Sequence, residues 1–125
     1  MEVIRNDWFS TPVWQIKTDF DKSFNDEILR DIGNTKGGVN DIWKIESVAL
    51  FHLNQYALNT IKKLTLEYYK DDNFKYFHAR GWLNTHPPGK HLGIHTHGSK
   101  IAMTYYLKTP KDSGDLLIKI GRAHV

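Results

Sequence analysis

Apolar side chains recur every three or four residues over two stretches in the first seventy positions, and alternate with polar ones over several stretches after them. Phe24, Ile28 and Ile32 advance by fours until Gly33 interrupts, the stripe of one helix face closed by a residue that favours helix ends. Ser23 with Asp26 resembles a capping box ahead of that stripe, so a short helix is predicted there. Leu50, Leu53, Ala57, Ile61, Leu64 and Tyr68 also step by threes and fours, which predicts an amphipathic helix about five turns long. Asp71, Asp72 and Asn73 end it, and residues 34–40, with Gly37 and Gly38, read as the loop between the two helices.

The flanking segments have the other period. Residues 8–16 are aromatic and β-branched, with alternation from Val13 and Pro12 at the start, which predicts a strand. From Phe74 onward, residues 76–84, 91–97, 101–107 and 116–120 read as strands, the first two joined by a turn at His86, Pro87, Pro88 and Gly89. With no internal repeat, helices followed by strands predict an α+β fold in which N-terminal helices pack on one face of an antiparallel, jelly-roll-like sheet.

Composition narrows the chemistry. The 125 residues, 40% hydrophobic and 25% charged, suit one compact core. No cysteine is present, so any metal would be held by His, Asp, Glu or backbone oxygen, favouring iron, zinc or manganese. No apolar run reaches the roughly 18 residues of a membrane span, and the N-terminus lacks a signal-peptide core. The expected location is cytoplasmic, with no membrane partner. The net charge of +3 comes from basic and acidic residues scattered without a basic block, so no nucleic-acid partner is indicated. The aromatic, basic stretch from Tyr68 to Phe77 is interrupted by two aspartates and reads as a solvated helix end and strand start.

The most informative motif is Gly89-x5-His95-x-His97. Alternation on a strand places His91, Gly93, His95 and His97 on one face, so two imidazoles converge beside a glycine that leaves open space. The expected ligands are His95 and His97, with His91 at the sheet rim and His86 in the turn. His52 and His78 lack partner spacing. The same spacing starts the first motif of the cupins, which place a glutamate four or five residues after the second histidine. Those positions are Ile101 and Ala102 here, and the cupin reading loses its third ligand. A third reading is a non-catalytic phage or bacterial β-sandwich with incidental histidines.

Residues 8–16, Trp82-Leu83-Asn84 before Pro88-Gly89, His95-x-His97, Tyr105-Tyr106-Leu107 and Ser113-Gly114-Asp115-Leu116 together resemble a 2-oxoglutarate/Fe(II)-dependent oxygenase family of phages and bacteria. The likeness runs to Lys119 and covers that family's N-terminal portion. It implies a double-stranded β-helix holding one Fe(II), with 2-oxoglutarate and oxygen used to hydroxylate an undefined substrate. It makes His95 the first ligand and puts His97 where most of the wider superfamily has a carboxylate. Asn84 stands where related enzymes offer a polar group to the cosubstrate. One of Tyr105 and Tyr106 must face inward, and Tyr105 is the second candidate for a cosubstrate contact, with core packing as its other role. Asp112 and Asp115 are possible carboxylates, although turn chemistry accounts for both.

Residues 120–125 resemble the translation of a sequencing adapter, as in an open reading frame assembled from metagenomic reads. The expectation is therefore a single domain over residues 1–119 that lacks its later strands, its third ligand and the basic clamp for 2-oxoglutarate. His124 and Arg122 lie in the adapter-like tail and are assigned neither role. Such a chain is expected to be inactive and marginally stable, with open sheet edges.

Overall fold

The computed structural model describes residues 1–8, 11–35, 41–69, 79–97 and 101–118. Its elements are strands β1 (Glu2–Trp8) and β2 (Thr11–Lys17), helix α1 (Lys22–Gly33), a single 3-10 turn (Ile42–Lys44) and helix α2 (Val48–Tyr69). The fold class is α+β, with two helices and a two-stranded antiparallel sheet.

The sheet is a hairpin in which Val3 faces Ile16, Arg5 faces Trp14 and Asp7 faces Pro12. Strand β2 overlaps the segment predicted over residues 8–16 and runs one residue past it, while Trp8 of that segment ends β1. Strand β1 was not foreseen, because Glu2, Arg5, Asn6 and Asp7 dilute its apolar content, and the pairing itself supplies the missing preference. The hairpin rests on the end of α2: the Trp14 and Tyr68 rings meet edge-on at 5.7 Å, and the Arg5 guanidinium lies 4.8 Å over the Tyr68 ring, a cation–π contact.

Helix α1 ends at Gly33, as its sequence predicts, but its start differs. The N-cap is Asp21, whose Oδ1 accepts from the Phe24 N–H at 2.9 Å. Ser23 lies inside the first turn, and Asp26 pairs with Lys22 one turn back. The Ser23/Asp26 capping box is therefore corrected: Asp21, just outside the helix, satisfies the orphan Phe24 N–H, and Ser23 is the second helical residue rather than the cap.

Helix α2 buries most of the stripe expected of it, with Ile61 and Tyr68 half-buried. Ala49, Leu50, Leu53, Ala57 and Leu64 are buried, and Leu50 and Leu53 join Ile28 of α1 in the core. Ile28 is wholly inaccessible, a burial worth about 1.5–3 kcal/mol. Ser47 links the helices: its hydroxyl donates to Asp31 Oδ2 at 2.6 Å and accepts from the Leu50 N–H at 3.2 Å, capping α2 while tethering it to α1.

The C-terminal part carries turns but no helix or strand among the described residues. Residues 79–97 and 101–118 contain no strand, whereas alternation predicts strands at 76–84, 91–97, 101–107 and 116–120. Residues 70–78 and 119–125, which include His78, Arg122, His124 and the ends of two of these segments, lie outside the described residues. Alternation reports that a segment has two faces, not that a neighbour supplies ladder hydrogen bonds. The turn explains one missing ladder. Lys90 N–H donates to the Pro87 carbonyl at 3.1 Å and Gly89 has φ +78°, so with Pro88 fixed at negative φ the turn has type II signs. Type II turns splay the arms they join, where hairpins need the mirror-image types.

Tyr105, Leu107 and Gly81 are among the residues that hold this part to the rest of the chain. Tyr105 and Leu107 turn inward and pack against the core, while Tyr106 is exposed, as alternation requires. At the other end, Gly81 is clipped to the chain before α2. Ile42 N–H donates to the Gly81 carbonyl at 2.9 Å, and the Gly81 N–H donates to Asp41 Oδ1 at 3.2 Å. The same carboxylate oxygen accepts from the Trp43 N–H at 3.1 Å, and Asp41 is only 6% exposed.

Candidate metal centre

The segment carrying the histidines starts at the Gly81 clip and reverses at the Pro88-Gly89 turn. Counting outward from Pro87 and Lys90 sets Asn84 opposite Gly93 and Trp82 opposite His95, with His97 one diagonal step further. The arms carry no ladder, and the contact at their far end is one diagonal step from the count: the Trp82 ring meets His97, at 5.5 Å and tilted by 38°.

His95 and His97 are close, as their shared parity predicts. Their ring centroids are 5.0 Å apart with planes at 80°. Two imidazoles bound to one ion at about 2.1 Å, at angles between an octahedral and a tetrahedral one, have centroids roughly 4.5 to 5.2 Å apart. The observed separation falls within that interval.

The protonation pattern of His95 also suits a ligand. Its Nδ1 lies 2.8 Å from the Gly93 carbonyl oxygen, and because a carbonyl can only accept, Nδ1 carries the proton. In the neutral ring Nε2 is then left with a free lone pair. A backbone carbonyl that fixes the tautomer of a histidine is the usual second partner of metal-ligating imidazoles. Gly93 itself is open, since a Cβ placed there would meet nothing within 4 Å. Both histidines are exposed, so an ion has access from solvent.

The remaining expectations fare differently. Asn84 is exposed, on the turn's other arm, and opposite Gly93 in the count. His86 and His91 are exposed on either side of the turn, and His52 lies exposed on α2 against Phe51. Tyr105 takes the packing role: its hydroxyl donates to Asn25 Oδ1 at 2.6 Å and its ring meets Phe20 edge-on at 6.3 Å. Asp112 has φ +65° in a turn closed by the Ser113 N–H donating to the Pro110 carbonyl at 3.1 Å. Its backbone role is that of a turn residue tolerant of the left-handed region. Among the described residues no group of three or more His, Asp or Glu side chains is placed to hold an ion. Nor is any of the described helices long and apolar enough to cross a membrane.

Comparison with known proteins finds no family model that matches the chain, and no match among the curated proteins or the solved structures.

Three residues of this region were not singled out for a role by their sequence pattern. Asp41 and Gly81 are forty positions apart, and no local periodicity links them. Trp82 was legible in principle, because counting back from the Pro88-Gly89 turn gives it the parity of His95.

Burial raises the Tyr105 hydroxyl above its ordinary pKa of 10.0, a rise reinforced by Tyr56 and opposed by hydrogen bonds to Thr18 and Asn25. The unfolded tyrosine therefore loses its proton first, so the contribution is intact below about pH 10 and lost as pH rises through the folded value. Tyr105→Phe is expected to lower stability at neutral pH, through the lost Asn25 bond, and to flatten the decline above pH 10. Urea midpoints measured at pH 7 and pH 10.5 check this, and an equally steep alkaline decline in the variant would contradict it.

Proposed function

We propose that this chain carries two metal ligands of a non-haem Fe(II), 2-oxoglutarate-dependent oxygenase that hydroxylates a substrate not yet defined. The observation that carries this reading is the His95 ring, whose Nδ1 faces the Gly93 carbonyl at 2.8 Å while a second imidazole, His97, stands 5.0 Å away. Two imidazoles in neighbouring positions fit one edge of the facial set used by such iron sites. In this reading the third ligand and the basic clamp for the cosubstrate lie outside the described residues.

Iron bound here would supply oxygen activation, with 2-oxoglutarate going to succinate and carbon dioxide as one oxygen atom enters a substrate C–H bond. The chain's own residues divide the remaining work. His95 and His97 hold the ion by imidazole nitrogen, the Gly93 carbonyl holds the His95 proton on Nδ1, and Asn84 offers its amide to the cosubstrate across the open space at Gly93. Tyr105 acts as scaffold, fixing residues 101–107 on α1 through Asn25. The extended segments belong, in this reading, to a double-stranded β-helix. The exposed Leu92, Ile94, Met103 and Tyr106 are surface that a facing sheet would cover.

An anaerobic titration tests the proposal. The expected result is Fe(II) bound at micromolar levels, followed by a visible charge-transfer band on adding 2-oxoglutarate. Iron binding with no response to 2-oxoglutarate would favour a cupin-type metal protein. No iron binding would leave the histidines incidental to a non-catalytic protein.

A further inference from the structure

We infer that Trp82 is the positioning residue for His97, doing for the second imidazole what the Gly93 carbonyl does for the first; the inference rests on the metal reading of His95 and His97. The two histidines are held by different means. His95 is oriented by a hydrogen bond at 2.8 Å to the backbone two residues earlier. His97 is held by rings: Trp82 lies against it at 5.5 Å with a tilt of 38°, and the His95 ring meets it nearly edge-on at 5.0 Å.

An exposed histidine with no such neighbours samples several rotamers, and ordering it on metal binding costs affinity. Contact with an indole removes much of that freedom in advance. The pair is tilted, between the stacked and edge-to-face arrangements, and at 5.5 Å the indole limits the rotamers open to the imidazole. The indole N–H can only donate, so Trp82 is no ligand and does not compete with His97 for the ion.

The arrangement is built from the backbone. Gly81, the residue before Trp82, is fixed by hydrogen bonds to Ile42 and Asp41, and beyond the turn at Pro88-Gly89 the chain brings His97 beside Trp82. Trp82 is itself 51% exposed. Its large apolar face is thus spent on a histidine rather than on the core, which is the observation that packing alone leaves unexplained.

Ni(II) titrations of the full chain test this, read by calorimetry and by tryptophan fluorescence. The unaltered protein is expected to bind Ni(II) with quenching of the Trp82 emission by the adjacent ion. Trp82→Ala is expected to weaken binding about tenfold, within the range for removing a residue that orients a ligand. Trp82→Phe, which keeps a flat ring, should stay within about threefold of the unaltered protein. Circular dichroism and urea midpoints establish that each variant is folded. Should Trp82→Ala unfold the chain, the inference is judged on Trp82→Phe and Trp82→Leu, of which only the leucine variant should bind weakly.

Equal affinity in the folded alanine or leucine variant would overturn this inference while leaving the metal reading intact. Absence of Ni(II) binding by the unaltered protein, or binding unchanged by His95→Ala, would overturn the metal reading and this inference with it.

Discussion

Replacing Gly81 with alanine is expected to lower the unfolding free energy by about 3 kcal/mol, the sum of an overpacking cost and weakened hydrogen bonds to a buried carboxylate. A Cβ at this position would lie 2.7 and 2.8 Å from Nε1 and Cε2 of Trp43, and 2.9 Å from Cγ1 of Ile42. Neither neighbour moves freely, because Ile42 and Trp43 both pack against the Ile28, Leu50 and Leu53 core. The alternative is for residue 81 to withdraw, which stretches the bonds to the Ile42 N–H and to Asp41. Asp41 would then keep the Trp43 N–H alone while remaining buried, and a half-satisfied buried carboxylate is costly. Urea unfolding reads the effect as a lower midpoint with an unchanged slope. In a double-mutant cycle, Trp43→Leu removes the obstructing ring, so adding Gly81→Ala to that background should cost much less than in the unaltered protein. A change below about 0.5 kcal/mol from Gly81→Ala alone would mean the indole swings aside without penalty.

This clip marks the boundary between what could be read from the residues in order and what could not. Helix α2 was legible because its apolar side chains repeat at the helical period, and Leu50, Leu53, Ala57 and Leu64 are buried as that stripe requires. The stop of α1 at Gly33 and the inward face of Tyr105 rest on equally local rules. The start of α1 went to Asp21 rather than Ser23 because two suitable caps lie two residues apart, and only backbone conformation separates them. Strand β1 was hidden for a different reason: its preference for an extended state comes from pairing with β2, not from its own polar residues. Pairing in the second half is not seen among the described residues. The period-two pattern gives the inward and outward sides of Tyr105, Tyr106 and Leu107, and it brings the His95 and His97 rings together, but residues 91–97 are exposed on both sides, and partners for the backbones lie beyond what alternation can specify.

For the candidate site, the legible part was the pair and its glycine. The illegible part was everything that orients the pair. The Gly93 carbonyl acts through its backbone, so no residue type announces it, and Trp82 reaches His97 only through the turn at Pro88-Gly89. The energetic order follows. A ligand whose proton is already fixed loses less freedom on binding an ion than one held by ring packing, so the two histidines are not equivalent.

His95→Ala is accordingly expected to cause the largest loss of metal affinity of any single substitution, about a hundredfold or more for Ni(II). Removing a group that merely orients a ligand costs roughly 10- to 100-fold, and deletion of the ligand itself removes both the bond and the object of that orientation. His97→Ala should follow, with a smaller loss, because its ordering cost already reduces what it contributes. His91→Ala and His86→Ala, exposed on either side of the turn, should stay within about threefold of the unaltered protein, since neither shares the ring contacts of the pair. Calorimetric titration of the four variants with Ni(II), followed by anaerobic Fe(II), gives the order directly. A ranking with His91 or His86 first would move the site to the turn. Affinities identical across all four would mean that the pair, though 5.0 Å apart, holds no ion.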